Sequence, residues 1–64
     1  MSEREERFER MLEGIQENYA DTVRRMDALR AEGKTKTVTF RQLMSNKLMY
    51  QTMLSMYREY GLID

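Results

Sequence analysis

Seven residues spaced alternately four and three apart, Phe8, Leu12, Ile15, Tyr19, Thr22, Met26 and Leu29, constrain this chain more than any other feature of it. At about 100° per residue they fall on one narrow stripe of an α-helix, with Met11 and Val23 alongside, in the manner of a coiled-coil seam. Ser2 and Glu5 form a capping box at the start of the pattern. Gly33 supplies the left-handed conformation that commonly ends a helix, and the chain contains no proline. These signals predict a first helix over about residues 3–32, roughly 45 Å long at 1.5 Å per residue. Gly14 falls off the stripe and weakens that helix by roughly 1 kcal/mol relative to alanine, a loss the packed seam is expected to absorb.

A second helix is expected over about residues 40–60. Thr39 and Gln42 read as a second capping box, with Val38 and Leu43 at the positions of a hydrophobic staple, which places the start at Phe40. Gly61 then ends the helix, and Leu62 closes back on Tyr57 in a Schellman arrangement. Between the helices, residues 33–39 make a short basic loop. Lys34 to Val38 alternates lysine with threonine and ends in valine, a pattern compatible with a short strand, but five residues without a second run make no sheet.

The apolar surface of the second helix is wide. With Phe40 set at 0°, Met56, Met49, Tyr60, Met53, Tyr57, Tyr50, Leu43 and Leu54 occupy roughly 160° to 320°, while Met44 and Leu48 lie outside that arc. One neighbouring helix does not cover so much. The fold class expected is therefore all-α, a single-domain two-helix antiparallel hairpin that self-associates into a dimeric four-helix bundle. Its oligomer core is assigned to Phe8, Leu12, Ile15, Tyr19, Met26 and Leu29 of the first helix and Leu43, Tyr50, Met53, Leu54 and Tyr57 of the second. A domain of 64 residues buries only about 60% of its unfolded surface and is marginal without reinforcement. With no cysteine or histidine, neither a disulfide nor an ordinary structural zinc site supplies it, which leaves self-association.

Eleven basic residues balance eleven acidic ones, but unevenly. Residues 1–21 hold three basic and seven acidic side chains, a net charge of −4. Residues 22–47 hold seven basic and two acidic, a net of +5. Antiparallel pairing of the first helix with its copy would set an acidic half beside a basic one.

The same inventory argues against an enzyme. There is no histidine base, no cysteine nucleophile and no glycine-rich phosphate loop, and no cofactor is implied. Glu5, Glu9, Glu13 and Glu17 recur four apart, but they lie off the apolar stripe among arginines and read as a solvated face rather than a metal site. The charged N-terminus contains no apolar run resembling a signal peptide, and no segment is long enough to span a bilayer, so a cytoplasmic protein is expected.

Two binding surfaces stand out. Met44, Leu48, Met49, Met56 and Tyr60 make a pliable candidate surface for a helix of another protein, against the plainer reading of oligomer core. Arg30, Lys34, Lys36, Arg41 and Lys47 make a basic tip with the chemistry for phosphate contacts, against the plainer reading of a polar loop that complements a helix dipole. Ribbon-helix-helix and helix-turn-helix readers fit poorly, since only one uninterrupted helix follows Val38. Binding at a membrane surface is disfavoured, because the broad apolar helix has few basic residues on its polar side. In size and expected architecture the chain is similar to the Rop family of plasmid-encoded RNA-binding helical hairpins, a likeness of shape that no motif carries. The function expected is that of a non-enzymatic, homo-oligomeric helical interaction module with a regulatory or scaffolding role in protein binding, or alternatively a small nucleic-acid-binding regulator acting through the basic tip.

Overall fold

A computed structural model describes residues 2–64 as two helices, α1 (Glu3–Ala31) and α2 (Val38–Glu59), packed antiparallel. The chain is all-helical among the described residues, with no strand in the loop. The particle is elongated, 46 × 20 × 18 Å.

Each helix end has an identifiable chemical cause. The Ser2 hydroxyl accepts the Glu5 backbone N–H at 3.2 Å and starts α1, and Glu3, Glu5 and Glu6 in its first turn face the positive end of the dipole. At the other end Lys34 N–H donates to Leu29 C=O at 2.8 Å and Gly33 N–H to Arg30 C=O at 3.0 Å. That is the paired Schellman closure, and Gly33 takes φ 72°, where a side chain would be strained. α2 ends the same way, with Leu62 N–H on Tyr57 C=O at 2.9 Å, Gly61 N–H on Arg58 C=O at 3.0 Å, and Gly61 at φ 75°.

The start of α2 differs from the sequence expectation. Its N-cap is Thr37 rather than Thr39, and the helix begins at Val38 rather than Phe40. The Thr37 hydroxyl accepts from Phe40 N–H at 3.1 Å and donates to Lys34 C=O at 3.0 Å, so one oxygen both caps the helix and closes the loop. Thr39 lies inside the first turn and has no such pair of partners. Gln42 bonds forward to Asn46 instead of back to a cap, at 3.2 Å. The staple also fails, because Val38 is 81% exposed while Leu43 is buried.

Residues of the first stripe face α2. Met26, 2% exposed, packs with Phe40, Leu43 and Leu29 in a cluster beside the loop. Thr22 is also buried, its hydroxyl satisfied by Asn18 C=O at 2.7 Å. Midway, Gln51 donates a side-chain hydrogen bond to the Tyr19 hydroxyl at 3.2 Å, across the two helices. At the open end Phe8 meets Tyr57 edge-on, with ring centroids 5.4 Å apart. The core is therefore tight at the loop and thin at the termini, where Phe8 remains 42% exposed.

Of the residues assigned to the core, Ile15, Met26, Leu43 and Leu54 are buried within a single hairpin. Leu12, Tyr19, Leu29, Tyr50, Met53 and Tyr57 are half-buried. Phe40 joins them, although sequence reasoning did not include it. The covered sector of α2 runs from Met53 through Asn46, Tyr57, Tyr50, Leu43, Leu54 and Lys47 to Phe40, roughly 220° to 360°, rather than 160° to 320°. Starting the helix two residues earlier makes Phe40 its third residue, and the ring packs with Met26.

Candidate functional site

With the covered sector of α2 at roughly 220° to 360°, the five residues read as one partner surface flank it on its two sides. Met49, Met56 and Tyr60 lie at roughly 160° to 200°, on one side of the plane of the hairpin, and Met44 and Leu48 at roughly 40° to 80°, on the other. All five are exposed. They do not form one surface.

The first side is a methionine face. Near the open end it deepens into a groove of about 280 Å³ lined by Phe8, Met11, Ile15, Met53, Met56, Tyr57, Tyr60 and Leu62. Its walls are almost wholly carbon and sulfur. Methionine fits such a site because an unbranched thioether repacks around many shapes. Val38, at about 160°, extends the same column to the loop end, a role that sequence reasoning missed by making it a staple. The spacing of Val38, Met49 and Met56, eleven and then seven residues apart, is the heptad signal that identifies it. Gln42 and Ser45 fill the intervening positions, so α2 presents no charge along this column.

The opposite side is mixed. Toward the open end, Arg4, Glu5, Glu9, Glu13 and Gln16 rim a wider hollow of about 670 Å³ whose floor is Phe8, Leu12, Leu62 and Ile63. The C-terminal residues reach it because Arg58 Nε donates to Asp64 C=O at 3.0 Å and draws the tail back along the helix. No three carboxylates among the described residues gather closely enough to hold a metal ion. Toward the loop end, Met44 and Leu48 sit among Arg41 and the half-buried Lys47.

The basic tip is only partly available. Arg30 hydrogen-bonds Asp27 at 2.9 Å and lies over the Phe40 ring, 5.6 Å from its centroid, so it acts first as a lid on the loop-end cluster. Lys34 pairs with Glu32 at 3.1 Å. Lys36, Arg41 and Lys47 form no ion pair among the described residues. Lys47 is separate in character, since it occupies a position of the covered seam and carries its chain along apolar surface.

The chain matches no known family model, no curated protein and no solved structure. Its surfaces therefore carry the functional reading. No described helix is long and apolar enough to cross a membrane. What the arrangement offers is contact area: an uncharged, pliable face on one side, and on the other a surface acidic toward the termini and basic toward the loop.

Proposed function

We propose that this chain is a non-enzymatic helical interaction module that associates with itself through the methionine face and serves a regulatory or scaffolding role in protein binding. The observation that carries the reading is the run of exposed Met49, Met56, Tyr60 and Leu62 around an apolar groove on a two-helix particle with only six buried residues among those described. Exposed apolar side chains scattered singly are ordinary on a soluble surface; a contiguous uncharged column along a whole helix marks an interface. The thin core adds a second reason, since a hairpin of this size gains much of its stability from what covers it.

Sedimentation equilibrium over a range of protein concentrations, at low and high salt, tests the reading. A dimer or tetramer that persists at high salt supports it, because burial of carbon and sulfur is not screened. A folded monomer at high concentration overturns it.

Nucleic-acid binding by the tip is the second reading, supported by Lys36 and Arg41, which stand exposed and unpaired among the described residues. It predicts affinity for RNA or DNA that falls steeply with salt and disappears in the double variant Lys34→Glu, Lys36→Glu while the fold is kept. Absence of affinity in the parent protein eliminates it.

A further inference from the structure

We infer that two copies join as an isologous antiparallel pair, loops at opposite ends, with the two-fold axis crossing α2 at Met49. This rests on the self-association proposed above and gives its geometry. The two most exposed large apolar side chains among the described residues, Val38 at 81% and Tyr60 at 78%, sit at the two ends of the uncharged column on α2. Met49 lies eleven residues from each of them. A two-fold axis at Met49 therefore sets Val38 of each copy on Tyr60 of the other and covers both exposed ends with one operation. The partner's Val38 then enters the groove of about 280 Å³ between Met56, Tyr60 and Met11, which nothing in the single chain fills.

Charge selects the same arrangement. Residues 30–41 at the loop end hold Arg30, Lys34, Lys36 and Arg41 against Glu32, a net charge of +3, whereas residues 3–10 of α1 hold Glu3, Glu5, Glu6 and Glu9 against Arg4, Arg7 and Arg10, a net of −1. With loops at opposite ends, each basic loop lies near the partner's acidic first turns. With loops at the same end, two tips of net charge +3 crowd together, a repulsion that disfavours that pairing. The hydrogen bond from Gln51 to Tyr19 places Asn18 and Tyr19 of α1 level with the axis. Below that level residues 3–17 of α1 carry a net charge of −3, and above it residues 20–31 carry a net of +1.

Because the protein has no cysteine, single thiols report the geometry directly. Met49→Cys, Val38→Cys and Tyr60→Cys are made in the full chain and treated with a short bis-maleimide crosslinker, after sedimentation has established that each variant still associates. The expected result is a covalent dimer from Met49→Cys alone, and from Val38→Cys only when it is mixed with Tyr60→Cys. Linkage at these pairs should be at least about a hundredfold faster than between unassociated chains, since a bound partner presents its thiol at roughly millimolar effective concentration. Rapid linkage of Val38→Cys to itself, or an associated Met49→Cys protein that does not link, overturns the antiparallel geometry while leaving self-association standing. A parent protein that sediments as a monomer overturns both.

Discussion

The ring of Phe8 meets the ring of Tyr57 edge-on at 65°, and this contact closes the end of the hairpin farthest from the loop. It is the last aromatic contact before the termini, in a region where the core has thinned to half-buried residues. Phe8→Ala removes it together with part of the wall of the methionine-face groove. Phe8 is already partly exposed, so the expected loss is about 1–2 kcal/mol, below the 3–5 typical of a fully buried phenylalanine. Denaturant unfolding checks the value, with Phe8→Leu as the control that keeps most of the area and loses only the ring pair.

Met26 lies at the other extreme. It is the most enclosed side chain among the described residues and packs with Phe40 and Leu43 across the helix pair. Met26→Ala is expected to destabilise by about 2–5 kcal/mol. A chain of this size has on the order of 3–10 kcal/mol in total, so the variant should be largely unfolded by circular dichroism at low concentration. Retention of full helicity with an unchanged midpoint would mean that the loop-end cluster is not the centre of stability.

The two threonines at the start of α2 give a sharp comparison. Thr37→Ala loses both the cap to Phe40 and the bond to Lys34 and should cost about 1 kcal/mol. Thr39→Ala should be within a few tenths of neutral, because alanine is a better helix former and no hydrogen bond is lost. Thermal unfolding of the pair separates them by several degrees if Thr37 is the cap.

That contrast also marks how far the sequence was legible. Gly33 and Gly61 announced both helix ends, since almost no other residue takes positive φ without strain, and the alternating stripe on α1 identified the face turned to α2. At the start of α2 the sequence offers two threonines on either side of Val38, Thr37 and Thr39, followed three positions on by Phe40 and Gln42 respectively. Local chemistry alone does not choose between them. The bond from Thr37 back to Lys34 decides, and it exists only once the loop has folded. The side on which α1 packs, not the start of α2, carries Phe40 into the core and leaves the methionines on two surfaces. A wide apolar arc is legible from sequence, whereas its division into covered and uncovered sectors depends on where the neighbouring helix lies.

The glycines separate by the same logic. Gly33 and Gly61 hold φ near +70°, so Gly33→Ala and Gly61→Ala should each destabilise by about 1 kcal/mol. Gly14 sits in the middle of α1 with nothing within 4 Å of where a β-carbon would stand. Gly14→Ala should therefore stabilise, by about 0.5–1 kcal/mol, through helix propensity and a less flexible unfolded chain. Melting curves of the three variants at one protein concentration read opposite signs.

The division of the exposed apolar residues into two surfaces makes a last prediction that tests the functional reading itself. Met49→Glu or Met56→Glu places a carboxylate in the middle of the uncharged column, and burying it against a partner without a counter-charge is strongly unfavourable. Both variants are expected to sediment as monomers at concentrations where the parent associates, while keeping most of their helicity. Met44→Glu and Leu48→Glu alter the other side, beside Arg41 and Lys47, where a new carboxylate meets cations rather than an apolar partner. These two should leave self-association unchanged and instead remove capture of any heterologous protein that docks on the basic side. If Met44→Glu dissolves the assembly as completely as Met56→Glu does, both sides of the hairpin belong to one larger core, and the protein is a higher oligomer with its binding surface at the charged ends.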